Sequence, residues 1–283
     1  MFPTLQSDTL AEIRALACDL ESHLKKHPKA NETPFDQRRL ALYQKHLGRA
    51  LPPPPQPLAC IGDSHTMFFA GAENLKFLRY RRSGLLRPHW INRGLDLLPC
   101  FRVFHLGPAT AWKAGDEGSS TRAKEKLDII LKKDLRPGTT VILCFGEIDC
   151  RVHMPRAVLG GRSIDQAAKD TAVKFCRFAQ LMAAKGMKPV VWGPAQIVPE
   201  DESLGPTTFP FVGPWELRRD VTVAYTAQLR EQCSLAGIPM VSILGLYEDI
   251  SQKTPSDFFI DGAHLSQRVM PLALAELHRA GLL

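Results

Sequence analysis

Two short stretches of the chain hold the side chains best suited to covalent chemistry. Gly62-Asp63-Ser64-His65 follows an apolar run at 58–62, and Asp261-Gly262-Ala263-His264 stands about twenty residues before the C-terminus. A serine on a strand-to-helix turn projects its hydroxyl into the crevice at the carboxyl edge of a sheet, and its own N–H is free to help bind an oxyanion. An aspartate and a histidine three apart on a turn can share that crevice. The carboxylate would then fix the imidazole tautomer and leave the other ring nitrogen for the serine. Each stretch alone has an ordinary structural use, as a Gly-Asp-Ser turn or as a helix start beside a surface histidine. Together, at the first and last strand ends, they point to nucleophilic acyl chemistry by Ser64, with His264 as base and Asp261 orienting it.

A third stretch, Gly146-Glu147-Ile148-Asp149 with Arg151 and His153 close behind, follows the apolar run at 140–145. Arg151 could donate to an oxyanion or clamp an anionic substrate group. It could equally pair with Glu147 or Asp149 and stiffen the loop. With no histidine or cysteine partner at ligand spacing, the two acids do not read as a metal site. Asp63, His65, Glu147, Asp149, Arg151 and His153 are the candidates for contact with a substrate. Thr110 and Trp112 could line the same pocket. So could Phe209, Phe211 or Trp215 from the long proline-rich segment 199–214, which has the length of a lid. The basic cluster Arg79, Arg81, Arg82, Arg87 and His89 reads as a solvated face or an anion dock, because no stacking motif accompanies it to mark nucleic-acid binding.

The elements that must position these groups are legible from periodicity. Apolar runs at 58–62, 101–106, 140–145, 189–192 and 239–243 alternate with helical stretches near 120–134, 164–185, 215–236 and 267–280. Such alternation implies a flavodoxin-like three-layer α/β sandwich with a central parallel sheet, whose ligands bind beyond the strands' carboxyl ends. The helix at 164–185 has the clearest limits, a Ser163/Gln166 capping box and Gly186 as its stop. Residues 1–50 read as a small helical appendage of two helices, one capped near Thr9 and one starting at Thr33-Pro34. The proline-rich linker 51–57 separates it from the domain at 58–283.

At 283 residues, 45% hydrophobic and 23% charged, the chain can bury a full core without metals or disulfides. Its net charge of +7 permits an anionic partner without requiring one. Seven cysteines without paired spacing suggest a reducing compartment, and the first thirty residues lack a signal-peptide core. No run reaches membrane-span length. The expectation is a cytoplasmic protein, outside the membrane, with the N-terminal helices as a possible dock for a protein partner.

The blocks at 62–65, 146–149 and 261–266 resemble, in order and place, those of the SGNH (GDSL-type) hydrolases, over roughly residues 58–280. The resemblance implies a serine esterase without a cofactor. It also implies an oxyanion hole built from the N–H groups of Ser64 and Gly107, completed by Arg151 if anything replaces the family's third donor. Two positions depart from the pattern. His65 stands where the family has leucine, and Ile148 replaces an oxyanion-binding asparagine, a loss worth about 10²–10³ in rate when nothing compensates. The expected substrate is a carbohydrate or small-molecule ester. An O-acyltransferase would use the same triad with another acceptor, and a catalytically inactive binding module for a glycan or protein would explain Ile148. With His264 as base, activity should fall as pH drops, since histidine titrates between about pH 5 and 8.

Overall fold

The computed structural model of the protein describes residues 7–27, 36–73, 78–80, 91–93, 96–195, 209–246, 258–261 and 263–283. All five apolar runs form strands: β1 (Leu58–Gly62), β4 (Phe101–His105), β5 (Thr140–Cys144), β6 (Lys188–Trp192) and β7 (Met240–Val241). They lie parallel in the order β4-β1-β5-β6-β7. This is the doubly wound order of flavodoxin-like sheets, with the topological switch between β1 and β5. The sheet is wider than expected. Two three-residue strands, β2 (Leu78–Tyr80) and β3 (Ile91–Arg93), extend it antiparallel beyond β4. They fall in the basic segment, and a strand of three residues is too short to show a period. Arg79 lies on β2, whereas Arg81, Arg82, Arg87 and His89 lie outside the described residues.

The strands are apolar on both sides, so each face needs a cover. On one face Ala59, Ile61, Val141 and Leu143 meet α3 (Ala123–Lys133), α5 (Ile164–Ala184) and α6 (Trp215–Leu235) through Leu127, Phe175 and Tyr225. The limits of α5 match the expected box, with the Ser163 side chain accepting from Gln166 N–H. On the other face Cys60, Ile142 and Val190 meet α1 (Ser7–Lys26), α2 (Gln37–Leu47) and α7 (Met270–Arg279).

The N-terminal helices are thus built into the main core through Leu16, Leu40 and Tyr43. Each fully buried side chain of this size is worth about 1.5–3 kcal/mol. Two helix starts differ from expectation. Thr9 lies inside α1, which begins at Ser7. The cap of α2 is Asp36, whose carboxylate accepts from Arg39 N–H at 3.1 Å. Thr33 and Pro34 lie outside the described residues. The linker at 51–57 is non-helical, as its prolines require.

Candidate active site

Ser64 opens a 3-10 helix, Ser64–Phe68, directly after β1. Gly62 is needed there for closeness, not for a turn: a Cβ at this position would stand 1.8 Å from the Cys144 carbonyl oxygen at the end of β5. Asp63, expected to meet a substrate, has another role. It is fully buried and caps the 3-10 helix, accepting from His65 N–H at 2.9 Å, and burial pushes its carboxyl well above the usual range. A group sealed from solvent in this way cannot touch a ligand, so Asp63 leaves the list of substrate contacts.

Two hundred residues later the chain returns in a tight hairpin. Ile260 N–H donates to His264 O, and Ser266 N–H to Phe258 O. Within it Asp261 Oδ1 accepts from Ala263 N–H at 2.9 Å and His264 N–H at 2.8 Å, a local turn that holds the carboxylate under the ring. His264 Nδ1 lies 2.9 Å from Asp261 Oδ2, and its Nε2 lies 2.7 Å from Ser64 Oγ. Burial raises the Asp261 carboxyl, but the bond and charge of His264 and the two backbone donors outweigh it and hold the group at about 2. The carboxylate is therefore ionised wherever the imidazole could act as a base.

The hairpin is pinned to the serine turn by groups that no motif announced. Gln267 Nε2 donates to Phe68 O at 2.6 Å, Glu73 accepts from Ser266 and Gln267, and Tyr43 of α2 donates its hydroxyl to Gln267 Oε1 at 3.1 Å. The N-terminal helices thus help fix the separation of Ser64 and His264.

Gly107 follows β4 with φ +97°, a conformation that favours glycine. Among the described residues, neither its N–H nor that of Ser64 has a protein partner. Ile148 is buried and apolar and offers no donor from its side chain. Arg151 is committed elsewhere. Its Nε and Nη2 grip Glu147 Oε1 and Oε2 at 2.5 and 3.0 Å, and Nη1 donates to Phe209 O. The loop-stiffening role therefore describes Arg151, and its guanidinium fork faces a carboxylate and not an oxyanion. The pairing arises because Glu147 and Arg151 stand four apart where the chain after β5 coils through a π-turn, Asp149–His153, into α4 (Met154–Leu159).

Glu147 also accepts from His65 Nε2 at 2.9 Å, and the His65 ring lies stacked on that of His264, centroids 4.5 Å apart and planes 25° apart. Burial raises Glu147, but Arg151 and His65 reverse the direction and hold it below the usual range. His65 is lowered, chiefly by burial. Glu147 is thus a buried support, and His65, partly buried between it and His264, also lines the small pocket that holds Ser64. Asp149 is buried as well, with its oxygens turned to Ala111 N–H at 2.6 Å and Trp112 N–H at 3.4 Å. Here burial outweighs the two donors and raises the carboxyl to about 6.

A cleft of about 390 Å³ opens beside the Gly107 turn, lined by Thr110, Trp112, Lys113, Asp149, His153 and Phe209 among others. Thr110, Trp112, His153 and Phe209 thus share one cleft, whereas Ser64, His65 and His264 line a separate, smaller pocket with Trp192 and Ile260. Phe211 packs instead between Arg151 and Arg218, and Trp215 is buried at the start of α6. Residues 199–208 of the expected lid lie outside the described residues. His105, at the end of β4, was missed: it is buried, and its imidazole is pushed down to about 3, mostly by burial.

The fold and site define a three-layer α/β protein with a serine, a histidine and an aspartate joined in sequence at the carboxyl edge of its sheet. No family model and no curated protein matches the chain. Among solved structures it is similar to the aryl esterase of M. smegmatis, at 19% identity over 81% of this chain and 100% of that one, TM-score 0.47. An acetylxylan esterase from Geobacillus stearothermophilus is 14% identical over 83% and 98%, TM-score 0.44. A GDSL-like lipase from Bacteroides thetaiotaomicron is 12% identical over 85% and 97%, TM-score 0.41. No described helix is long and apolar enough to cross a membrane.

Proposed function

We propose that the protein is a serine esterase that hydrolyses an acyl ester of a carbohydrate or small molecule through Ser64, His264 and Asp261. The observation that carries this reading is the unbroken path from Ser64 Oγ to His264 Nε2 at 2.7 Å and from His264 Nδ1 to Asp261 at 2.9 Å. His264 removes the Ser64 proton as the hydroxyl attacks the ester carbonyl, and the imidazolium that forms is stabilised by ionised Asp261. The N–H groups of Ser64 and Gly107 hold the oxyanion. His264 returns the proton to the leaving alcohol, and water, activated by the same imidazole, releases the acid. A sugar hydroxyl in place of water would make the same site an acyltransferase. The cleft beside Gly107, with Trp112 and Phe209 among hydroxyl-bearing residues such as Thr110 and Ser120, suits a polar ester.

The resemblance of the three blocks to the SGNH (GDSL-type) family supports this chemistry. Ile148 favours a second reading, a binding module that no longer turns over. One experiment separates the two: labelling with a fluorophosphonate, mapped by mass spectrometry. Modification of Ser64 that vanishes in Ser64→Ala and His264→Ala is the expected result. A folded protein left unmodified would be the binding module.

A further inference from the structure

With Ile148 in place of a donor and Arg151 turned to Glu147, the oxyanion hole holds two backbone N–H groups and needs support from elsewhere. Lys126, in the first turn of α3, reaches back to the end of β4, where its ammonium donates to the Leu106 carbonyl at 2.5 Å. It stands 3.4 Å from where a Cβ on Gly107 would be. That carbonyl belongs to the same peptide unit as the Gly107 N–H. In a trans peptide the C=O and N–H point opposite ways. The ammonium therefore sits at one end of the peptide dipole, and an oxyanion bound to Gly107 would sit at the other.

We propose that Lys126 is the electrostatic support of the oxyanion hole, polarising the Leu106–Gly107 peptide so that its N–H binds developing negative charge more strongly than an ordinary amide. This rests on the esterase reading of Ser64. The physics is that of coupled hydrogen bonds: a charged donor on the carbonyl draws electron density from the amide nitrogen and strengthens the N–H as a donor. Partial burial of the ammonium keeps its field from being screened. Its position has two electrostatic costs that packing alone would avoid. A cation in the first turn of a helix opposes the macrodipole, and burial lowers the Lys126 pKa. The nearby His105 is held neutral and cannot substitute. Lys126 touches no reacting atom in this scheme. It acts through the peptide.

The test compares Lys126→Met and Lys126→Arg with the wild type. The second-order rate of Ser64 phosphonylation should fall about tenfold in Lys126→Met, less than the 10²–10³ of losing a direct donor. Inhibition by phenylboronic acid, whose serine adduct carries the anionic charge, should weaken by a similar factor. The KM for p-nitrophenyl acetate should stay within about twofold, because the ground-state carbonyl gains little from this support. Lys126→Arg should recover most of both losses. Wild-type phosphonylation rate and boronate affinity in Lys126→Met would overturn the role of Lys126 while leaving Ser64 as nucleophile. Parallel loss in KM, melting temperature and the arginine variant would make Lys126 a packing residue. Should Lys126→Met fail to fold, Lys126→Gln provides the same neutral comparison. Absence of wild-type labelling at Ser64 would overturn the esterase reading and the support together.

Discussion

The site contains two carboxylate–imidazole pairs, Asp261 with His264 and Glu147 with His65, whose rings stack 4.5 Å apart. They share hydrogen-bond chemistry and differ in surroundings. The Asp261 side chain is 40% exposed and bonds to backbone donors and its histidine; that of Glu147 is 8% exposed and gripped by a guanidinium. The first pair stands beside Ser64, where among the described residues the Asp261 carboxylate bonds to the His264 ring and to the Ala263 and His264 N–H groups, with no guanidinium on it. In the second pair, Arg151 neutralises the carboxylate, and burial disfavours a protonated His65. One pair faces Ser64 from a partly exposed turn; the other is locked by a guanidinium and presents a flat ring. What separates them is the position of one arginine and the degree of burial.

The largest predicted effect breaks the first pair. Asp261→Asn should reduce ester hydrolysis by about 10⁴, as expected when the carboxylate that fixes the tautomer is lost. Because the Asp261 side chain is partly exposed and asparagine keeps the oxygen that accepts from Ala263 and His264 N–H, denaturant unfolding should move less than the rate does. The second pair should invert that pattern. Arg151→Leu leaves Glu147 buried without its cation and should cost about 3–5 kcal/mol in urea unfolding, and adding Glu147→Leu should recover most of it. A large stability loss in Asp261→Asn with an unchanged Arg151→Leu would reverse the assignment of roles.

The next effect probes the contact between the pairs. His65→Leu removes the stack but keeps an apolar side chain over His264. An aromatic pair is worth about 0.5–1.5 kcal/mol beyond its area, so kcat should fall about 3–10-fold. KM should stay level, since His65 stacks on the base and does not line the cleft beside Gly107. A raised KM with unchanged kcat would make His65 part of the binding surface.

How much of this was written in the sequence differs between the two pairs. Ser64 and the Asp261/His264 turn are legible because both lie at predicted strand ends and because serine, aspartate and histidine in short local patterns carry few other meanings together. The five parallel strands are legible for a similar reason: buried on both faces, they read as apolar runs. The second pair is half legible. Glu147 and Arg151 stand four apart, which suggests pairing, but Asp149 competes until the helical turn after β5 decides the register. His65 against Glu147, and Tyr43 against Gln267 across 224 residues, are tertiary contacts without any spacing to reveal them. Lys126 was hidden in the same way, as one of several lysines on an amphipathic helix. β2 and β3 were hidden by shortness, and the Asp36 cap by the stronger Thr33-Pro34 signal beside it.

The last comparison concerns Asp149, which has the burial of Glu147 without its arginine. Burial alone moves a carboxyl up, and here it reaches about 6, whereas the added cation moves Glu147 down. The folded Asp149 pKa lies above the ordinary aspartate value of 3.8, so the folded state binds this proton more tightly than the unfolded chain does. Its contribution to stability is complete below the unfolded pKa and is lost as pH rises through about 6. Urea unfolding should therefore show stability falling by about 1–2 kcal/mol between pH 4 and pH 7 on account of this group. Asp149→Asn, which keeps an acceptor for the short Ala111 bond but cannot ionise, should flatten that part of the profile. Glu147→Gln should leave the upper part of that slope, between about pH 6 and pH 7, in place, because Glu147 is ionised there in both the folded and the unfolded chain. An unchanged slope in Asp149→Asn would mean that its two backbone donors are strong enough to hold the carboxylate ionised, and that burial without a cation does not by itself set these two acids apart.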